Sequence, residues 1–345
     1  GLHRDEYVLS NPTYDADQWT SSPDSGNGTP DTAGRGRTDT YALWIQDVWK
    51  FAPAFKLTTG ARLESWEASN GFNLAGNVAT VQPVERSMNL SPKAALAWQI
   101  DPAWSAQLSL GEAYRYPTVG ELYQIVSTGP TYSIPDPNLT PEHDYSGELA
   151  IGRQARNTRL RLSLFQENTR NALISQTNLL NGTYTTTFQN VAWIRNRGVE
   201  FVAERDNALI HGLDLSNSVT YVDSTVLSDP SFRSAAGTTA TGRHVPYVPD
   251  WRDTARATYH SGERLAFTVA ARYQGKMYST LDNTDSVPHV FGAFDTFCVI
   301  DTHVHYRISA LISADAGIDN LFNDKYFEYH PFPARTYVAN LKVQF

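Results

Sequence analysis

Two alternations run through this chain, one inside the other. Within short segments, apolar and polar residues take turns. Leu265, Phe267, Val269, Ala271 and Tyr273 share one face of an extended strand, while Thr268, Arg272 and Gln274 share the other. Leu160, Leu162 and Leu164 alternate with Arg159, Arg161 and Ser163, and Cys298, Ile300, Thr302, Val304 and Tyr306 oppose Val299, Asp301, His303 and His305. A period of two makes a strand with one apolar and one polar face. Fourteen such strands are expected, near 2–9, 39–50, 55–66, 89–100, 104–115, 144–153, 158–168, 188–205, 212–223, 250–260, 264–274, 295–307, 310–322 and 335–345. Between them, short turns (51–54, 101–103, 154–157, 206–211, 261–263, 308–309) alternate with long polar loops (10–38, 67–88, 116–143, 169–187, 224–249, 275–294, 323–334). Such parity puts every tight turn on one rim and every long loop on the other. An antiparallel transmembrane β-barrel is built that way; a β-sandwich has no reason to be.

Composition narrows the function. No stretch approaches the roughly 20 apolar residues of a membrane helix, but barrel strands average out on a hydropathy scale, and the mean hydropathy of -0.40 is compatible with them. The net charge of -8 argues against nucleic acid as a partner. Cys298 is the single cysteine, so no internal disulfide can form. It is expected to be packed or to face lipid. No charged segment followed by an apolar run opens the chain at Gly1. The chain is therefore expected to start after processing or inside a longer protein.

The C-terminus carries a further sign. Tyr337, Ala339, Leu341, Val343 and the terminal Phe345 form one strand face, with Val338, Asn340, Lys342 and Gln344 on the other. This resembles the terminal signal by which outer-membrane barrels are recognised for insertion, with Tyr337, Leu341, Val343 and Phe345 as its residues. Trp49, Phe51, Phe55, Trp98, Trp104, Trp251 and Tyr259 are expected to form an aromatic girdle near the short-turn rim.

Ordered motifs point to one family. They are Leu57-Thr-Thr-Gly-Ala-Arg-Leu-Glu64, Leu90-Ser-Pro-Lys-Ala-Ala-Leu-Ala-Trp98, Gly111-Glu-Ala-Tyr-Arg-Tyr-Pro-Thr-Val-Gly-Glu-Leu-Tyr123, Asp136-Pro-Asn-Leu-Thr-Pro-Glu142, Arg197-Gly-Val-Glu-Phe201, Val248-Pro-Asp-Trp251 and Gly317-Ile-Asp-Asn-Leu-Phe-Asn-Asp-Lys-Tyr326. In this order they resemble the C-terminal barrel half of TonB-dependent outer-membrane receptors, over roughly residues 40–345. The resemblance implies an all-β fold. About fourteen strands of a 22-stranded barrel would be present as one incomplete domain spanning 1–345, without the plug. A closed fourteen-stranded channel is the alternative. The resemblance also implies a Gram-negative outer-membrane location, active import of a scarce nutrient chelate (a ferric siderophore first, haem or cobalamin next), and no enzymatic activity or resident cofactor. Implied partners are the TonB–ExbB–ExbD complex through N-terminal parts, outer-membrane lipid, the barrel assembly machinery and the small-molecule ligand.

Candidate residues follow from chemistry. Arg62 and Glu64 share the lumen-facing parity and could pair with each other or with a plug. Asn320 and Asp324 flank Leu321-Phe322, where side-chain hydrogen bonds can build a turn. No serine-nucleophile elbow, phosphate loop or zinc motif is present. His303 and His305 share a strand face at a spacing a metal can use, but a polar lumen gives the same pattern, so no metal site is assigned. Aromatic rings with arginine forks suit planar anionic chelates. Loop 116–143 offers Tyr116, Glu121, Tyr123 and Tyr132. Other loops offer Trp19, Tyr184, Phe232, Arg233, His244, Tyr278, His289, Tyr326, Phe327, Tyr329, His330 and Arg335. Tyr114-Arg-Tyr-Pro-Thr118 and Asp136-Pro-Asn-Leu139 resemble motifs flanking a haem-binding loop. No histidine lies between them, so Tyr123 or Tyr132 would have to ligate.

Overall fold

The computed structural model describes residues 1–14, 30–76, 78–128, 131–180, 183–232 and 237–344. Among them fourteen long strands run in series: β1 Leu2–Thr13, β2 Thr32–Ala52, β3 Phe55–Ala75, β4 Glu85–Gln99, β5 Trp104–Arg115, β6 Glu142–Ala155, β7 Thr158–Leu180, β8 Thr183–Arg205, β9 Leu213–Ser228, β10 Trp251–Ser261, β11 Leu265–Gln274, β12 Phe297–Arg307, β13 Ile312–Asp319 and β14 Thr336–Val343. Each pairs antiparallel with the next, from Leu2↔Leu43 to Ile312↔Val343. Among the described residues no pairing joins β1 to β14. The one helix described, α1 (Val119–Tyr123), lies between β5 and β6.

All fourteen expected strands are present, but several are longer than expected, mainly at the long-loop end. β2, β3, β7 and β8 have 21, 21, 23 and 23 residues, about twice the 9–11 that cross a bilayer. The segment 169–187, expected as a loop, is mostly the upper part of one hairpin, which runs from Thr158↔Arg205 to Leu180↔Thr183. Beyond the membrane neither strand face needs to be apolar, so the period-two signal fades while the ladder continues.

The register fixes which side chains share a face. Leu43, Leu63 and Leu90 lie at one level; Val269, Thr302 and Ile318 lie at another. This apolar face is open: Leu43, Ile45, Leu164, Phe267, Val269 and Leu341 are all exposed. A water-soluble sandwich would bury it, and a contiguous exposed apolar surface of this size marks contact with hydrocarbon. Cys298 is exposed on it. Tyr337, Leu341 and Val343 also point this way; Phe345 lies outside the described residues.

The opposite face is polar and satisfied pairwise. Arg62 donates to Glu64 at 2.8 Å, Arg161 to Glu148 at 2.6 Å and Arg159 to Glu204 at 3.1 Å. His303 pairs with Asp319 at 2.9 Å and His305 with Asp315 at 2.6 Å. The two imidazoles therefore serve different carboxylates, and no group of three or more metal-ligating residues occurs among the described residues.

Aromatic side chains line the short-turn rim. Trp49, Phe51, Phe55 and Trp98 form a continuous series with centroids 5.3, 5.7 and 5.8 Å apart. Trp104 and Tyr259 lie at the same rim. Trp251 does not. It begins β10 after a long loop, so it sits at the opposite end, where it packs 4.8 Å from Tyr221. Proximity to a strand end does not fix the rim; Trp251 opens a strand that the chain enters from the long-loop end.

Candidate ligand-binding site at the long-loop end

Among the described residues, buried apolar clusters lie where loops fold back onto the polar face. In one, Trp66 and Ala68 of β3 receive Leu122, Tyr123 and Leu139 from the β5–β6 connection. Thr118 and Glu121 cap α1 reciprocally: Thr118 N–H donates to Glu121 at 2.8 Å and Glu121 N–H to Thr118 at 3.2 Å. Pro117 ends the preceding strand, and Asp136 N–H closes the loop on the Glu121 carbonyl at 3.0 Å.

This arrangement decides the position of Tyr123. The side chain is 1% exposed. Gly36 and Gly71 leave the space its ring fills, since a Cβ at either would run into the ring. Asn73 donates to the Tyr123 carbonyl at 2.8 Å and Asn11 to that of Ile125 at 2.6 Å. Tyr123 is thus the anchor of an inward-folded loop. Tyr116 stacks on Trp66 at 5.6 Å and its hydroxyl donates to Asn89 at 3.3 Å; burial raises its pKa. Tyr132 lies on a short strand, Thr131–Ile134, that pairs parallel with β8.

A second assembly joins the connections β9–β10, β11–β12 and β13–β14. His244 stacks on Tyr278 at 5.6 Å, and Lys276 lies 5.2 Å from the same ring. Asn283 clamps His244, accepting from its N–H at 2.8 Å and donating to its carbonyl at 3.0 Å. Tyr247 N–H donates to the Tyr278 carbonyl at 2.7 Å. From Tyr247 the rings continue through Phe294 (5.5 Å) and Tyr329 (6.4 Å) to His330 (5.0 Å) and Phe291 (5.8 Å). Phe327 extends the series, with Phe291 at 5.9 Å and His289 at 6.5 Å. Tyr326, from the same connection, is buried between Phe297 at 4.1 Å and Phe332 at 5.0 Å.

Carboxylates hold these loops. Asp285 accepts from Ser279 N–H at 2.6 Å and from the Ser279 and Thr280 hydroxyls at 2.8 Å each. Asp295 accepts from His289 N–H at 3.1 Å and Phe327 N–H at 2.9 Å. Burial raises the Asp282 pKa, but hydrogen bonds from Thr238 and Thr284, 2.9 Å each, outweigh it and leave the carboxyl below its usual range. Asn320 and Asp324 form the expected turn through two 2.8 Å bonds.

Three aromatic residues of this assembly, Tyr247, His289 and Tyr329, have φ of 64°, 59° and 66°. Bulky side chains rarely adopt the left-handed region, and such strain persists where surrounding contacts enforce it, often at ligand sites. Phe291 remains 70% exposed. Burial, aided by Tyr329 and Asp285, raises the Tyr247 pKa. The structure therefore unites His244, Tyr278 and Tyr329 in one assembly and packs Tyr326 in a separate cluster with Phe297. Among the described residues, no ring contact joins these to Tyr116, Tyr123 or Tyr132. Trp19, Arg233 and the side chain of Tyr184 lie outside the described residues. Sequence reasoning missed Tyr247, Phe291 and Phe294. The three-residue spacing of Phe291, Phe294 and Phe297 in a polar loop was the available signal.

Comparison with known proteins places this geometry. Residues 4–321 match the family described as TonB dependent receptor-like, beta-barrel. The iron-regulated outer membrane virulence protein of Vibrio cholerae is 24% identical over 323 residues, covering 88% of this chain and 44% of that protein. The vitamin B12 transporter BtuB of the same species is 25% identical over 255 residues, covering 73% and 36%. The structure of the ferric-catecholate import receptor Fiu from E. coli K12, closed form, superposes with a TM-score of 0.70 at 18% identity, covering all of this chain and 50% of that one. The chain thus spans less than half the length of these two curated relatives. BtuB is named as a transporter and Fiu as an import receptor. An open apolar face, a polar face satisfied in pairs and long loops gathered at one end agree with that match: the chain belongs to the TonB-dependent receptor β-barrel family of the Gram-negative outer membrane.

Proposed function

We propose that this chain forms the C-terminal part of the barrel of an outer-membrane importer, and that its external loops capture an iron chelate of the siderophore class. The observation that carries the reading is the aromatic–histidine assembly drawn from three separate connections, with Tyr247, His289 and Tyr329 in strained backbone. Rings offered edge and face suit a flat, conjugated ligand, and Lys276 beside Tyr278 supplies positive charge for an anionic one. Import would then draw on TonB through N-terminal parts of the whole protein, with the polar face of the wall lining the route. Nothing in the assembly calls for bond-making chemistry.

The test is equilibrium binding to the whole receptor in detergent micelles, followed by quenching of intrinsic fluorescence. A ferric catecholate should bind, and Tyr247→Ala or Tyr329→Ala should each weaken it about tenfold, the loss of one stacking contact. A cobalamin reading has the BtuB likeness in its favour. Saturable binding of cyanocobalamin with no response to the ferric catecholate would replace the iron reading with that one.

A further inference from the structure

The apolar face is not uniform. Across β7 to β11 one level reads Leu160, Ala203, Asn217, Ala255, Ala271; the next level toward the short-turn rim reads Thr158, Arg205, Leu215, Ala257, Val269. Four alanines leave a floor without bulk between Leu160, Leu215 and Val269, and the result is a groove of about 680 Å³. At its far end Asn217 donates to Asp253 at 2.6 Å, so those two polar groups satisfy each other.

The rim end differs. Arg153 lies opposite both Leu160 and Trp104, with its guanidinium 5.8 Å from the Trp104 ring, and Arg205 is the last residue of β8. Both line the groove. Arg159 and Arg161, on the polar face of the same region, are each bound to a glutamate. Among the described residues Arg153 and Arg205 have no carboxylate partner. Cations are disfavoured on a lipid-facing wall except near the interface, where long stems lie along apolar surface and the heads reach the headgroups. A guanidinium there meets phosphate with paired hydrogen bonds.

We propose that this groove is a binding site for one acidic glycerophospholipid of the inner leaflet, its acyl chain over the alanines and its phosphate between Arg153 and Arg205. Charge selects the occupant. A second copy of this chain would bring the same two cations against them, and a neutral apolar partner would leave both unanswered. The inference holds whichever ligand the loops take.

Native mass spectrometry of the whole receptor, with phosphatidylglycerol or phosphatidylcholine added to the micelles, tests it. One phosphatidylglycerol should remain bound under activation that strips phosphatidylcholine. Arg153→Gln with Arg205→Gln should lower that retention about tenfold or more, as expected for losing charge-assisted bonds. Ala255→Leu fills the groove while keeping both arginines, and should lower it as well. An unchanged heat-dependent gel shift confirms that each variant is folded. Equal retention of the two lipids, indifference to Ala255→Leu, or a protein dimer in place of the lipid adduct would each overturn the proposal.

Discussion

Tyr123 shows how a residue chosen for its chemistry can serve packing instead. Its sequence context, an aromatic in a long loop beside Glu121, is that of a ligand contact. Its environment is set by Gly36 and Gly71 on strands far away in the chain, and no local pattern announces that. Gly36→Leu should expel the ring and free the segment 116–141. Tyr123→Ala should destabilise the segment by roughly 3–5 kcal/mol, the cost of deleting a buried aromatic. Hydrogen exchange of the α1 amides checks both: each variant should exchange faster there and nowhere in β10–β14. Asp282 gives a pH-dependent counterpart. Its folded-state pKa lies below the ordinary aspartate value. The stability it lends the β11–β12 connection is therefore full above that value and is lost as the pH falls through the depressed pKa. Asp282→Asn should remove that acid sensitivity, measured as protease cleavage within 275–296 across pH 5 to 2.

At the scale of elements, the strands were readable because one face of each meets hydrocarbon and the other does not. Where that asymmetry ends, reading ended too. The upper halves of β2, β3, β7 and β8 lose the two-residue alternation of apolar and polar side chains and read as loops, although their ladders continue. Trp251 failed for a related reason, since composition cannot tell which rim a strand end belongs to. The turn at Asn320–Asp324 was legible, because it depends on side chains a few residues apart. The β11 strand offers a sharp test of facing. Val269→Arg sets a cation on the apolar face at roughly 2–4 kcal/mol near mid-membrane. Arg272→Ala removes one hydrogen bond to Asp301, which keeps its bond from Asn320 N–H at 2.8 Å. Folded yield after refolding into bilayers should fall much further for Val269→Arg than for Arg272→Ala.

For the whole molecule, the fold class and the family were readable in the order of the motifs and the parity of the connections. The candidate site was readable only in part. Histidine and tyrosine in loops are common, and what unites His244, Tyr278 and Tyr329 is the approach of three connections that the sequence separates by dozens of residues. Carboxylates Asp285 and Asp295, which hold those connections in place, gave no sign of that role in sequence. All of these placements depend on which side of the wall meets lipid. Spin labels placed one at a time from 266 to 271 in the whole receptor, with Cys298 replaced by serine and the protein in bilayers, measure that directly. Labels at 267, 269 and 271 should be relaxed by oxygen dissolved in the hydrocarbon, and those at 266, 268 and 270 by a water-soluble nickel chelate. Loss of that two-residue alternation, or protection of 267, 269 and 271 from both reagents as in a packed protein interior, would contradict the account.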